Sequence, residues 1–270
     1  MKKTYKNFSQ KFSNKYVNMS DNFFENYKVN WYKNISSTMD KIDQNIEQNI
    51  FNEIIVSDYQ VQGKGRFDRI WDSKKGEDLL VSIPLILNPS YSEKIPIIVS
   101  LAVFNTVVSF INRKKDVSIK WPNDILVNYK KISGILIKSK MQNNKSVFNI
   151  GIGININSDN NNKFGYDSTS FFSETSNRFS REKVLLELCN QLSINLNLDY
   201  SECIKLYKAS IFIPKNKINV IYDKNKLSKD YFFESITNQG LLVVVSNDGD
   251  KLELTSEEIS FSPLRNNPNH

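Results

Sequence analysis

The chain has 270 residues, enough for one large domain or a main domain with a small appendage, and its 36 Lys and Arg against 29 Asp and Glu leave a charge of +7. That charge permits an acidic partner without demanding one, and an A/T-rich coding bias toward Asn, Lys and Ile accounts for much of it. The only histidine is the last residue, His270, so Ser-His-Asp and Cys-His catalysis and histidine-containing zinc sites would have to use the end of the chain. Two cysteines, Cys189 and Cys203, do not make a disulfide framework and point to a reducing cytosol. No apolar signal core follows the basic N-terminus and no run reaches membrane-spanning length, so the expectation is a cytoplasmic protein without a membrane segment.

In chain order, Phe8, Phe12, Tyr16, Met19, Phe23 and Tyr27 recur at spacings of three and four. They predict an amphipathic helix whose stripe packs on the main body or makes a homodimer or partner contact. Fewer than about 40 residues seldom form an independent core, so 1–27 reads as an extension and not a DNA-binding domain. A strand in VNWY follows, then Ser37 as candidate N-cap with Asp40 three residues on, and Met39, Ile42, Ile46 and Ile50 at helical spacing. Strands are expected over 54–57 and 79–87, the second at an edge or bulge because of Pro84. Residues 95–111 are apolar nearly all round and predict a central buried helix. Runs 117–120, 125–127, 132–140 and 147–154 read as strands, with antiparallel hairpins at Asn128-Tyr129-Lys130 and Asn143-Asn144. The tract 160–162 of asparagines marks a loop, and helical spacing returns over 184–198 and 203–210. Beyond Pro214, short runs near 218–222, 231–236, 241–245 and 251–254 predict a small all-β appendage. The expected units are therefore 1–27, 28–213 and 214–270.

Chemistry concentrates in QVQGKGRFDRIW, residues 60–71, where two glycines, the cations Lys64, Arg66 and Arg69, and Trp71 share one turn-rich loop. Glycine lets backbone approach a ligand, cations give charge-assisted hydrogen bonds to phosphate, and an indole stacks on a planar base. A basic loop that merely keeps the surface solvated is the competing reading.

Two further motifs decide between them: KWPNDILVNYKKISGIL at 120–136 and GIGININ at 151–157. With GKGRFDRIW at 63–71, and in this order, they resemble the biotin protein ligases over most of the chain, from Trp31 to Phe261. The resemblance implies an α+β fold, a class II aminoacyl-tRNA synthetase-like catalytic domain around a mixed sheet, with a small C-terminal SH3-like β-barrel. It also implies two steps from biotin, ATP and Mg2+: formation of biotinyl-5'-AMP with release of pyrophosphate, then transfer to a lysine ε-amine of a biotin carboxyl carrier protein, as in acetyl-CoA carboxylase. Neither step needs a covalent enzyme nucleophile, so the missing histidine is no obstacle.

Carried over by motif position, the biotin-binding set is Ser37, Thr38, Gln60, Gly63, Lys131, Gly134, Gly151 and Gly153, with Ser37, Thr38 and Gln60 on the ureido ring. The resemblance places Lys64, Arg66, Arg69 and Lys120 on the phosphates, and Trp71 and Asn155 on the adenine. Lys131 becomes the principal catalytic cation, bridging biotin carboxylate and α-phosphate, with Arg66 and Lys120 beside it; Asp124 accepts a proton from, or orients, the incoming amine. A helix cap remains the alternative for Ser37 and Thr38, a turn residue for Asp124, and a structural amide for Asn155 and still more for Asn157. Metal ligands are not assigned. Three positions depart from the family pattern: Lys64 replaces an arginine, Met39 an asparagine and Lys138 a glutamate. A lipoate protein ligase is the alternative enzyme. A DNA-binding repressor is the alternative of another class, disfavoured by the short aromatic N-terminal segment.

Overall fold

The computed structural model describes residues 2–5, 24–67, 69–159, 168–214, 217–218, 221–222, 225–226 and 229–255. Strand β1 (Lys2–Tyr5) pairs antiparallel with β2 (Lys28–Tyr32). Helix α1 (Thr38–Glu47) then carries the chain over the sheet to β3 (Glu53–Ser57), which runs parallel to β2. After β4 (Leu79–Leu87) comes α2 (Ile95–Ile111), followed by the meander β5 (Val117–Lys120), β6 (Asp124–Val127), β7 (Lys130–Gln142) and β8 (Lys145–Ile154). These strands form one mixed sheet in the order β1-β2-β3-β4-β8-β7-β6-β5. Helices α3 (Phe171–Thr175), α4 (Arg181–Asn197) and α5 (Tyr200–Ser210) complete the α/β portion.

Local chemistry accounts for the turns. Asn128 and Tyr129, and Asn143 and Asn144, all have positive φ, between 49° and 66°, as two-residue hairpin loops with primed turns require. Helix α2 begins at Ile95-Pro96 and stops at Asn112, which is left-handed at φ 54°. Its all-round apolar surface is explained by its position: the sheet lies on one side, α4 and α5 on the other. Among the described helices, α1 packs on the opposite sheet face, where its Ile42 and Ile46 bury against Ile55 and Val147. This asymmetry leaves part of that second face for a ligand.

Strands β9 (Ile221–Tyr222) and β10 (Asn225–Lys226) form a short ladder, and β11 (Tyr231–Ile236), β12 (Leu242–Ser246) and β13 (Lys251–Leu254) an antiparallel sheet. Such a sheet is consistent with the SH3-like module. It touches the main body through Gly240 (φ +84°), whose carbonyl accepts 2.9 Å from Trp121 Nε1.

Several expectations change. Pro84 sits on an interior strand, yet β3 pairs β4 only as far as Ser82, so the missing N–H falls where β4 has lost that neighbour. Tyr27 Oη donates to the Pro84 carbonyl there, at 3.0 Å. Ile50 lies beyond α1, which ends at Glu47 before Asn49 turns to φ 58°. Strand β1 and helix α3 are additions, the latter five residues long and too short to show periodicity. The aromatic stripe from Phe8 to Phe23 and the asparagine tract 160–162 lie outside the described residues.

Candidate active site

Residues directly opposite in an antiparallel ladder project to the same face. The register places Leu80, Gly153, Gly134, Asp124 and Lys120 in one row across β4, β8, β7, β6 and β5. The next row holds Ser82, Gly151 and Leu136, and the third Pro84, Asn149 and Lys138. Three glycines on one face therefore open a trough in the sheet, and the trough ends at a carboxylate and a lysine.

Lys131 would miss this face under plain alternation, because it would follow Ser133 and Ile135. A β-bulge prevents that: Leu126 pairs with Lys131 and Ile125 with Ser133, leaving Ile132 as the extra residue. Lys131 Nζ consequently stands 3.0 Å from where a Cβ on Gly134 would be. Lys131 thus belongs to a strand, while its neighbour Lys130 is exposed.

The first turn of α1 supplies a polar end. Gln60 Oε1 accepts from Thr38 N at 2.7 Å and Thr38 Oγ1 at 2.9 Å, and Ser82 Oγ donates to Thr38 Oγ1 at 2.8 Å. Ser37 occupies the N-cap position in extended conformation but makes no side-chain cap bond, and its Oγ is buried without a hydrogen-bond partner. A buried hydroxyl left in that state is costly, so it fits a ligand contact better than a helix cap.

The loop after Gln60 is a small hairpin: Trp71 N donates to Gly63 O at 3.0 Å and Gly65 N to Arg69 O at 2.7 Å. A Cβ on Gly63 would fall 2.4 Å from Trp71 O, so only glycine permits this closure. The hairpin lays Trp71 into the trough, where its ring would meet a Cβ on Gly153 at 2.4 Å and one on Gly134 at 2.6 Å. Trp71 Nε1 is buried without a partner, and Lys131 Nζ lies 5.2 Å from the ring centroid. Trp71, expected on a bound base, thus fills the glycine trough itself. A ligand entering the trough must displace the indole. Saturating biotin is accordingly expected to change tryptophan emission, and the change should vanish in Trp71→Phe, since Trp31 and Trp121 are buried elsewhere. Unaltered emission in protein that calorimetry shows to be loaded would mean the indole stays seated.

At the other end of the row Lys131 Nζ and Asp124 Oδ1 form an ion pair at 2.7 Å. Burial, the largest influence, holds Lys120 below the ordinary lysine range; the charges of Lys131 and Arg69 push the same way, and Asp124 opposes them. An arriving polyanion would reverse that push. Arg66 Nη1 donates to Asn123 Oδ1 at 3.2 Å, and Asn123 is itself fixed by its Nδ2 bond to Ile135 O and by Ile135 N on its own carbonyl, each 2.9 Å. Asn123, given no role from the sequence, is thus the side chain that holds Arg66 beside β7. Beside the filled trough, a cleft of about 760 Å3 opens between Gly63–Arg66, Pro122-Asn123 and Leu136–Lys138.

Other candidates from the sequence have protein partners. Lys64 pairs with Asp40 in the first turn of α1 and Lys138 with Asp43 at 3.1 Å, so both departures from the family pattern meet an acidic partner on that helix. Asn155 is buried and its Nδ2 donates 2.9 Å to Thr169 O. Asn157 braces Phe179 through two 2.9 Å bonds, the structural role expected of it. Arg69 is exposed at the rim. Met39, expected on the apolar stripe of α1 and a departure from the family pattern, is buried with its Sδ 2.7 Å from where a Cβ on Gly151 would be.

Residues 31–157 match the Biotin/lipoate A/B protein ligase family. This part of the chain belongs to that family. Around the ligase-family domain, the chain is similar to biotin–protein ligase 1, chloroplastic, of Arabidopsis thaliana, at 29% identity over 228 residues. That match covers 77% of this chain and 59% of that protein, so the chain spans less than two thirds of the relative's length. The ligase-family domain and its surroundings share a fold with biotin protein ligase from Aquifex aeolicus in complex with biotin and ATP. The TM-score is 0.72 at 24% identity, covering 87% of this chain and 99% of that one. Biotin protein ligase from Leishmania major in complex with biotinyl-5-AMP gives 0.60 at 20%, covering 84% and 98%. The expected fold class, a mixed-sheet ligase domain with a small C-terminal β module, is the fold of this chain.

Proposed function

We propose that the protein is an ATP-dependent biotin protein ligase. The observation that carries this reading is the row Gly153-Gly134-Asp124-Lys120 with Lys131 bulged onto the same face, beside the polar cluster of Ser37, Thr38 and Gln60. The trough offers an apolar floor with matched donors and acceptors at one end and cations at the other, as an acid with a ureido head requires.

In the first step a biotin carboxylate oxygen attacks the α-phosphorus of MgATP and pyrophosphate leaves. Lys131, released from Asp124, would lie between the two anions and offset their repulsion, while Arg66, Arg69, Lys64 and Lys120 take the phosphates. Trp71, once out of the trough, covers the adenine, and Asn155 borders it. In the second step a carrier lysine nitrogen attacks the anhydride carbonyl, AMP leaves, and Asp124 receives or steers the ammonium proton. The magnesium enters as part of the nucleotide substrate. Among the described residues, no group of three or more His, Cys, Asp or Glu is placed to hold a metal, and Mg2+ commonly binds through phosphates, water and few carboxylates. The carrier is a biotin carboxyl carrier protein of acetyl-CoA carboxylase type. Free buried Cys189 and Cys203 support a reducing cytoplasm, and no described helix is long and apolar enough to cross a membrane.

Biotin-dependent exchange of labelled pyrophosphate into ATP tests the first step without a carrier. Exchange with lipoate but not biotin would reassign the substrate, and exchange with neither would remove the activity. Asp124→Asn is expected to slow amine transfer by on the order of 10²-fold while lowering exchange far less. Equal losses in the two half-reactions would make Asp124 a structural partner of Lys131.

A further inference from the structure

The trough is filled from two sides by side chains of unequal freedom. Trp71 comes from a surface hairpin whose neighbours Phe67, Arg69 and Ile70 are exposed, whereas Met39 belongs to the first turn of α1. The carbonyl of Met39 is tied 2.8 Å to Asn149 Nδ2 in the third row of the sheet, and the same Nδ2 lies 2.6 Å from Asp43 Oδ1. Thr38, next in sequence, is held by Gln60 and Ser82. Met39 is 3% exposed, and its Cγ and Sδ stand 2.9 and 2.7 Å from where a Cβ on Gly151 would be. Gly151 therefore makes room for Met39, while Gly153 and Gly134 make room for the movable indole. When the indole leaves, Met39 remains as the end wall of the opened trough.

We propose that Met39 is a specificity-determining residue: its thioether, seated on Gly151 beside the polar cluster, limits the size of the acid's ring head. This rests on the biotin ligase reading, since it assumes that the acid lies along the glycine row with its polar head toward Thr38 and Gln60. The wall works by bulk. An unbranched side chain yields locally to a small mismatch but cannot withdraw, because its backbone is fixed to Asn149. One methylene in such a pocket changes discrimination by about 10- to 200-fold.

The test uses full-length protein and compares biotin with two acids enlarged at opposite sides of the ring system, biotin sulfone and N-methylbiotin. For each acid, kcat/KM in pyrophosphate exchange and equilibrium affinity by calorimetry are measured in wild type, Met39→Ala and Met39→Leu. Any hydrogen bond the analogue itself lacks is lost equally in all three proteins and cancels in the ratios. Met39→Ala is expected to raise the ratio of at least one enlarged acid to biotin by about tenfold or more. Met39→Leu keeps the bulk and should retain the wild-type preference. Equal changes for all three acids in Met39→Ala, or a shift of the same size in Met39→Leu, would overturn the wall. Wild-type protein that neither exchanges nor binds biotin would instead overturn the ligase reading beneath it. Should Met39→Ala fail to fold, Met39→Val, shorter but branched, replaces it with the same expected direction.

Discussion

Lys131→Ala is expected to lower biotin-dependent pyrophosphate exchange by on the order of 10²- to 10³-fold, the range seen when one preorganised electrostatic group is removed from a reacting centre. The geometry favours a kinetic effect over a folding one. The Lys131 side chain is 32% exposed and its ion-pair partner Asp124 17%, so loss of the pair leaves a carboxylate that water still reaches. The thermal midpoint should therefore move little while exchange collapses. Lys131→Arg should restore charge without restoring the rate, because a planar guanidinium cannot replace a compact ammonium between two anions. Exchange in Lys131→Ala within threefold of wild type, in protein with an unchanged melting transition, would remove this lysine from the chemistry.

The second large effect is expected at Gly153. An alanine Cβ there would fall 2.4 and 2.5 Å from two carbons of the Trp71 indole, and β8 is held by β4 on one side and β7 on the other, so the strand cannot give way. The indole must leave its seat, and an acid bound in the same space meets the same methyl group. Gly153→Ala should therefore cut kcat/KM for biotin by about 10- to 100-fold, as for a misplaced methylene in a shaped pocket. The unfolding midpoint should move only slightly, since the displaced neighbour sits on a surface hairpin. Wild-type kcat/KM would show that no ligand atom approaches this strand. Biotin affinity in the double variant Gly153→Ala/Trp71→Ala, compared with Trp71→Ala alone, separates the two causes: equal affinity points to the indole, a persistent loss to the ligand.

Much of the scaffold was readable because its signals are local. The all-apolar run became α2 with the expected limits, and the Asn128 and Asn143 turns joined the expected strands. Chemistry in the motifs was readable as residue type, but not as geometry. The extra residue Ile132 decides which face Lys131 occupies, and nothing in KKISG distinguishes a bulge from plain alternation. The partners of the departing lysines were also hidden, since Asp40 lies 24 residues from Lys64 and Asp43 lies 95 from Lys138. Those pairs exist only once α1 has crossed the sheet. Glycines in GIG announced close approach, yet the sequence could not say that the chain's own Met39 and Trp71 would be what approaches.

The bond from Trp121 to Gly240 joins residues 119 apart and ends on the turn that Lys120 and Asp124 flank. Shortening the chain ahead of that glycine would strip the acceptor from an indole only 6% exposed. It would also remove Leu242, which lines the same small cavity as the indole, so the ring would lose packing as well as a bond worth about 0.5–1.5 kcal/mol net. The C-terminal β module is thus a splint for the β5–β6 turn at the edge of the sheet, and its removal would be felt first as misplaced charge.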